Sequence, residues 1–125
     1  MLDDLLGPID NVRRGPKKGS RQPENIIQTA IIEYLELRDW FIMNMTGNKY
    51  QAGVPDLYIC HIRYGPRWVE VKREKKYSFT PAQLEVFPKL SIHGVGIWIL
   101  TAATKMEYAK LFKAPNWHMF LPVMK

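Results

Sequence analysis

The stretch that decides the fold is GVPDLYICHIRYGPRWVEVKR, residues 53–73. Residues 57–62 and 67–73 are rich in β-branched and aromatic side chains, and the turn sequence YGP separates them. Two such segments around a short turn predict a β-hairpin. The hairpin therefore supplies two adjacent antiparallel strands of the predicted sheet.

The segments before the hairpin predict one helix and one strand. Residues 23–38 repeat apolar side chains at three- and four-residue spacing, which is typical of an amphipathic helix, and Pro23 suits its first turn. Residues 40–45 are short and apolar and predict a strand. Residues 46–53 contain two glycines and predict a loop that leads toward Asp56.

The segments after the hairpin alternate between helix and strand. Residues 80–94 begin with the helix-capping sequence TPAQ and predict a helix, which we expect to be kinked or interrupted at Pro88. The almost wholly apolar residues 95–100 predict a strand covered on both faces. Residues 104–113 predict a short helix, and residues 119–123 predict an edge strand.

The predicted order of elements is α-β-β-β-α-β-α-β, an α/β fold with a mixed β-sheet flanked by helices. The chain has 125 residues, a length that fits one compact domain. We expect this domain to span residues 23–125 and to follow a flexible basic arm, residues 1–22. Within the arm, residues 11–22 (NVRRGPKKGSRQ) hold five basic residues, no acid and no apolar period.

Composition excludes several classes of protein. No uninterrupted apolar run approaches the ~20 residues that a membrane helix needs. The first ten residues carry acids where a signal peptide carries Lys or Arg. The single cysteine, Cys60, has no second cysteine with which to form an internal disulfide. We therefore expect a protein of the cytoplasm, and not a secreted, membrane or disulfide-stabilised one.

The charge balance favours a polyanionic partner. Eighteen basic residues against twelve acidic ones give a net charge of +6 and a pI near 9.5. Besides the arm, residues 67–76 form a second cluster with five basic residues, including Arg67 and Lys72. Nucleic acid is the favoured partner, and an acidic protein remains open. The residues expected to contact DNA are Arg13, Arg14, Lys17, Lys18, Lys49, Arg73, Lys75 and Lys76.

Two acids and one amine converge in the predicted hairpin. Side chains alternate along a strand, so Glu70 and Lys72 share one face. Strand pairing brings Asp56, just before the first hairpin strand, toward the Glu70 end of the second. Together with the Val71 carbonyl, the two carboxylates offer the oxygen ligands that Mg²⁺ prefers. Because Mg²⁺ also binds substrate phosphates, this set suits phosphodiester hydrolysis, with Lys72 orienting water or balancing charge.

A second interpretation of the same residues stays open. Glu70 and Lys72 could instead form a solvent-facing cross-strand ion pair of little energetic value. The chain would then be a non-catalytic nucleic-acid-binding module that uses its basic surface.

Other polar residues flank the predicted site. Glu24 and Gln28 lie four residues apart on one face of the first helix, although Glu24 alone is explained by the helix dipole. Gln83 either closes a capping box with Thr80 or reaches toward the metal or phosphate. Asn44 belongs to the segment that leads to Asp56.

Five motifs together resemble one known family. They are PENIIQ…YL, NMTG…GVPDL, WVEVK, FTPAQ and HGVG, and they span residues 23 to about 101. In this combination and spacing the chain resembles the VRR-NUC family of the PD-(D/E)xK nuclease superfamily, in its small stand-alone form known from viruses and bacteria. The resemblance implies a restriction-endonuclease-like core.

The resemblance also implies roles for individual residues. Asp56 and Glu70 would be metal ligands, with Mg²⁺ or Mn²⁺ as the cofactor. Lys72 would be the catalytic lysine, Glu24 an auxiliary acid and Gln83 a supporting polar residue.

The family further implies a metal-dependent endonuclease acting on DNA. Its stand-alone members are similar to Holliday-junction resolvases, so branched DNA is the expected substrate and a homodimer the expected assembly. The sequence contains no glycine-rich phosphate-binding loop, so no nucleotide cofactor is expected.

Overall fold

The computed structural model describes residues 23–47 and 52–121. The predicted arm, residues 1–22, lies outside the described residues, and so does Lys49. The DNA contacts predicted for the arm and for Lys49 therefore stay predictions.

The first helix, α1, spans Glu24–Glu36. Its apolar stripe buries Ile31, Tyr34 and Leu35, as the three- and four-residue spacing requires. Leu37 caps its C-terminus. The helix predicted over residues 23–38 is confirmed.

Four strands form one mixed sheet: β1 (Phe41–Asn44), β2 (Leu57–His61), β3 (Gly65–Val71) and β4 (Ile97–Leu100). Their spatial order is β1-β2-β3-β4. The pairs β1–β2 and β2–β3 are antiparallel, whereas β3–β4 is parallel. The predicted hairpin and the mixed sheet are confirmed.

The register of the hairpin determines where the polar residues lie. Leu57 pairs with Val69 in the β2–β3 ladder. Asp56, one residue before Leu57, consequently lies beside Glu70 and Val71. The carboxyl end of β3 is therefore the place where polar side chains gather.

The sheet is covered by an apolar layer on each face. One layer joins Ile31 and Leu35 of α1 to strand residues such as Ile59 and Val69. The other joins Phe87 to Ile97, Ile99 and Trp117. Because β4 contributes to both layers, its residues form the continuous apolar run seen in the sequence.

The second long helix, α2, spans Pro81–Ile92. The Thr80 hydroxyl accepts a hydrogen bond from the Gln83 amide, and the Gln83 side chain accepts one from the Thr80 amide. Pro88 lies inside this helix without interrupting it, so of the expected kink or interruption the interruption is wrong. Pro88 lacks the N–H that would bond to the Leu84 carbonyl, and Leu84 lies on the exposed side of the helix.

The segment after β4 differs from the prediction at its end. Helix α3 (Lys105–Ala109) continues into a short 3₁₀ helix, Lys110–Phe112, in the place predicted for a helix. The edge strand predicted for residues 119–123 is wrong over its described part, because Trp117–Phe120 forms a second 3₁₀ helix.

The side chain of Asn116 explains why no strand forms there. Its Oδ1 accepts from the Ile99 amide at 2.7 Å, and its Nδ2 donates to the Ile99 carbonyl at 3.3 Å. These two bonds occupy the edge positions on β4 that another strand would use. Trp117 then packs its ring against Phe87.

None of the helices in residues 23–47 and 52–121 combines the length and apolarity that a membrane crossing requires.

Candidate active site

Asp56 and Glu70 are held together by reciprocal bonds with the backbone. The Asp56 amide donates to Glu70 Oε1 at 3.0 Å, and the Val71 amide donates to Asp56 Oδ2 at 2.9 Å. Each carboxylate is thus fixed by the strand segment that carries the other. These reciprocal bonds follow from the β2–β3 register. They leave the two acids adjacent at the start of β2 and the end of β3.

Lys72 is buried beside this pair. Its side chain is 4% exposed and that of Glu70 is 2% exposed, and Nζ lies 3.1 Å from Glu70 Oε2. Nζ also donates to the Ser78 carbonyl at 2.7 Å and to Gln83 Oε1 at 3.2 Å. The interpretation of Glu70 and Lys72 as a solvent-facing pair is therefore wrong.

The Lys72 ammonium is almost enclosed by these contacts. Its three N–H groups match three acceptors, and the Phe79 ring lies with its centroid 4.6 Å from Nζ. A buried ion pair needs such additional hydrogen bonds, because desolvation of two charges is costly. Lys72 is accordingly held as a fixed positive charge next to Glu70.

Gln83 serves the helix and the site at once. While its Oε1 accepts from the Thr80 amide in the capping box, it also accepts from Lys72 Nζ. Its Nε2 donates to Glu70 Oε2 at 2.7 Å. The capping box predicted for Gln83 is confirmed, its contact with a metal-bound water or a phosphate stays a prediction, and its bonds to Glu70 and Lys72 tie the N-terminus of α2 to the acid–amine pair.

The environment disfavours negative charge on both acids. Burial, followed by the neighbouring Asp56 charge, raises the pKa of Glu70 from its ordinary value of 4.5 to about 7, against the opposing effect of Lys72. Burial also raises the pKa of Asp56, while the Val71 amide and the Lys72 charge act in the opposite direction. Burial favours the protonated form of these adjacent acids, and a bound cation would instead stabilise their ionised form.

The donor set fits a hard divalent cation. Asp56 and Glu70 offer carboxylate oxygens, which Mg²⁺ and Mn²⁺ prefer. The Val71 amide points toward Asp56, and in an extended strand the carbonyl of a residue points to the same side as its amide. The Val71 carbonyl therefore faces the acid pair. No group of three His, Cys, Asp or Glu side chains within residues 23–47 and 52–121 is arranged as a metal site.

Glu24, at the start of α1, interacts electrostatically with the same cluster. Burial raises the pKa of Glu24, and the Asp56 charge adds to this, whereas the charges of Lys72 and Arg73 lower it. The nearby backbone amide of Arg73 also lowers the pKa of Glu24. The structure therefore brings Glu24 to the acid–amine cluster, although only its helix-dipole role is explained by local sequence.

A polar chain behind Asp56 includes Thr46, a residue that sequence reasoning missed. Gln28 Nε2 donates to Asn44 Oδ1 at 3.3 Å and to Thr46 Oγ1 at 2.9 Å. The Thr46 hydroxyl in turn donates to Asp56 Oδ1 at 3.4 Å. The sequence feature that could have identified Thr46 is its position in the loop that leads to Asp56.

The second basic cluster divides into different environments. Lys72 is buried in the site, while Arg67 donates through Nε to the Leu111 carbonyl at 3.0 Å and stacks on Trp98. Lys75 and Lys76 are exposed, and Arg73 is half-buried. The five residues therefore do not form one basic surface, and Arg73 is the member besides Lys72 whose charge lowers the pKa of Glu24.

Comparison with solved structures reveals the fold. A structure described as "VRR_NUC domain" aligns with a TM-score of 0.58, covering 71% of this chain and 94% of that chain at 20% sequence identity. The fold of the chain is thus that of the VRR_NUC domain, a restriction-endonuclease-like α/β fold, as the sequence resemblance implied. No protein-family model matches the chain, and no curated protein matches it.

Proposed function

We propose that this chain, which has the fold of the VRR_NUC domain, is a metal-dependent endonuclease that hydrolyses phosphodiester bonds in DNA. The observation that carries the proposal is the interlocked pair Asp56 and Glu70 with the Lys72 ammonium 3.1 Å from Glu70. These three charged groups lie together at the carboxyl end of β3, in a chain whose net charge is +6. An ion pair at the surface would be exposed to solvent, whereas Glu70 and Lys72 are both buried.

Asp56, Glu70 and the Val71 carbonyl are the proposed ligands of Mg²⁺ or Mn²⁺. When bound, the cation would supply Lewis-acid polarisation of the phosphoryl group and activation of water. It would also offset the repulsion between two carboxylates and an anionic phosphodiester. The donor set of the protein is compatible with this chemistry because every proposed ligand atom is a hard oxygen.

The protein side chains have separate tasks in the proposed reaction. A water oxygen bonds to phosphorus, the bond to one ester oxygen breaks, and the products are a phosphate monoester and an alcohol. The Lys72 ammonium stabilises negative charge that develops during attack. Gln83 keeps Lys72 and Glu70 in position, and Glu24 hydrogen-bonds the attacking water.

Branched DNA and a homodimer are the further parts of the proposal. Both rest on the resemblance of the sequence to small stand-alone VRR-NUC proteins. A symmetric junction has two equivalent strands to cut, and one small subunit offers one site, so two subunits are needed. Light scattering that finds only monomers at concentrations that support cutting would contradict the dimer.

One cleavage experiment tests the function. Linear, nicked, flap and four-way DNA substrates are incubated with the protein in Mg²⁺ or chelator, and the variants Lys72→Ala and Lys72→Met are compared with Lys89→Ala. Lys89 is a suitable control because its side chain, paired with Glu85 on the surface of α2, is 68% exposed. We expect metal-dependent cutting by the wild type and the control, and loss of cutting with DNA binding retained in both Lys72 variants.

The outcomes separate this proposal from a non-catalytic binding module. A module predicts no cleavage by the wild type on any substrate and slightly weaker binding for the Lys72 variants. Lys72→Met nearly preserves side-chain volume, so it remains informative if the cavity left by alanine prevents folding. Circular dichroism confirms that each variant is folded before its activity is compared.

A further inference from the structure

A series of hydrogen-bonded side chains connects helix α1 to the carboxylate of Asp56. It starts at Gln28, which lies on α1 and is 9% exposed. A buried amide needs hydrogen-bond partners, and Gln28 Nε2 donates to Asn44 Oδ1 at 3.3 Å and to Thr46 Oγ1 at 2.9 Å. Thr46 Oγ1 lies 3.4 Å from Asp56 Oδ1. The segment that leads to Asp56 is therefore attached to α1 through its side chains.

The direction of these bonds is determined by one backbone group. The Thr46 amide donates to the side-chain atom of Asn44 at 2.9 Å, so that atom is the acceptor oxygen Oδ1. Gln28 must then present its Nε2 hydrogens to the same oxygen, and they also reach the Thr46 hydroxyl. Because the hydroxyl oxygen accepts from Gln28, its single hydrogen is available to Asp56.

Thr46 and Val71 each donate to a different oxygen of Asp56. The Thr46 hydroxyl bonds to Oδ1, and the Val71 amide bonds to Oδ2 at 2.9 Å. The backbone of Asp56 is held as well, because the Met45 amide donates to its carbonyl at 2.7 Å. An ionised carboxylate accepts about four hydrogen bonds in total, so both oxygens keep capacity for a cation. The plane of the Asp56 carboxylate is thus fixed by two donors.

A purely structural role does not account for this arrangement. Thr46 and Asn44 are both exposed, so neither side chain belongs to the apolar layers of the sheet. At position 28 an apolar side chain would be buried in α1 at lower cost than an amide that depends on partners in a loop. A metal site does account for it. Carboxylates that bind metals are themselves hydrogen-bonded, and loss of such a partner typically lowers metal affinity or activity about 10–100-fold.

We propose that Thr46, oriented by Gln28, is a positioning residue that holds the Asp56 carboxylate in the orientation that binds Mg²⁺ or Mn²⁺. The inference rests on the proposed function, because it takes Asp56 as a metal ligand. Thr46 acts through Asp56 and is not itself a ligand. Helix α1 thereby contributes to the metal site through Gln28, in addition to covering the sheet.

Binding of Mn²⁺ in the absence of DNA tests this role without turnover. Titrations followed by electron paramagnetic resonance measure free Mn²⁺ and give a Kd for the whole chain and each variant. Thr46→Val replaces the hydroxyl by a methyl group of similar size, whereas Thr46→Ser keeps the hydroxyl. Thr29→Val is the matched control, because the exposed Thr29 hydroxyl donates to the Asn25 carbonyl within α1 and makes the same chemical change away from the site.

The expected pattern is specific to the hydroxyl group. Thr46→Val should weaken Mn²⁺ binding about tenfold or more, as loss of a hydrogen-bond partner of a metal ligand typically does. Thr46→Ser should keep most of the affinity, and Thr29→Val should bind Mn²⁺ as the wild type does. Gln28→Met should weaken binding less than Thr46→Val. Combined with Thr46→Val it should cause little further loss, because both residues act through one bond to Asp56.

Two results would overturn the assignment. One is a folded Thr46→Val variant that binds Mn²⁺ with wild-type affinity, whatever its thermal stability. The other is an equal loss of affinity in Thr46→Ser and Thr46→Val, since the hydroxyl would then be irrelevant. Failure of the proposed function would look different. Mn²⁺ binding by the wild type that is absent, or that Asp56→Asn leaves unchanged, would refute Asp56 as a ligand and this inference with it.

Discussion

The two ends of the β2–β3 hairpin use the same strands for opposite purposes. At the turn end, Tyr64 packs against His61 at a ring distance of 4.5 Å and against Phe112 at 4.9 Å, and Trp40 stacks nearby. At the other end, Asp56, Glu70 and Lys72 bury charge instead of aromatic surface. Apolar residues are buried beneath the acid end too, including Leu57 and Val69, but only the acid end also buries charged side chains.

The two ends differ in energetic cost, because burying charged groups is unfavourable and packing aromatic rings is not. Aromatic pairs add about 0.5–1.5 kcal/mol beyond their buried area, so the turn end needs no further explanation. The acid end raises the pKa of Glu70 to about 7 through burial and the charge of Asp56. A chain selected for stability alone would not keep such groups adjacent, and this points to chemistry.

The largest expected effect comes from removing charge at the acid end. Asp56→Asn and Glu70→Gln should each lower cleavage by about a hundredfold or more, since each removes a proposed ligand whose charge acts in the transition state. Added Mg²⁺ should restore activity only in part. The measurement is the rate of cleavage at saturating DNA over a range of Mg²⁺ concentrations.

Glu85→Gln is the matched control for these two variants. The Glu85 side chain lies on α2 and is 69% exposed, so its replacement removes the same charge without touching the cluster. It should cut at the wild-type rate. Unchanged turnover in Asp56→Asn or Glu70→Gln, with the fold intact by circular dichroism, would refute the ligand assignment and leave the two hairpin ends functionally alike.

A smaller effect is expected from backbone substitutions at the two ends. Gly53 and Gly65 have positive φ values of 89° and 82°. A Cβ on Gly53 would lie 2.7 Å from the Ala82 carbonyl oxygen and 2.8 Å from Val86 Cγ2, whereas a Cβ on Gly65 meets nothing within 4 Å. Gly53→Ala should therefore cost about 3 kcal/mol of unfolding free energy and Gly65→Ala about 1 kcal/mol.

Chemical denaturation measures that difference directly. Gly53→Ala should also reduce cleavage, because the chain from Gly53 to Asp56 has to shift where it approaches the start of α2. Gly65→Ala should leave cleavage unchanged. Equal losses of stability in the two variants would show that the short distance between Gly53 and α2 does not constrain the loop before Asp56.

The fold was largely predictable because its signals are local. The three- and four-residue period before Glu36 and the alternation in β3 follow from which faces are buried. Two features were not predictable. No strand forms in the described part of residues 119–123, where Asn116 bonds to β4 instead, and Pro88 is accommodated within α2 on a helix whose residue Leu84 is exposed.

The site was predictable in its centre and not in its surroundings. Hairpin register alone brings Asp56 to Glu70, so their proximity could be deduced from residues 53–73. The burial of Lys72 could not, because it depends on acceptors from Ser78 and Gln83 in a later segment. The chain from Gln28 through Thr46 to Asp56 joins three separate segments, and no spacing within one of them predicts it.

The central claim is that Asp56 and Glu70 together hold a divalent cation. The most direct test is a crystal grown with Mn²⁺ at a concentration that supports cleavage, with anomalous diffraction used to locate the metal. We predict an anomalous peak bounded by the Asp56 and Glu70 carboxylates and the Val71 carbonyl. A map with no peak there, or with manganese bound only elsewhere on the protein, would contradict the claim.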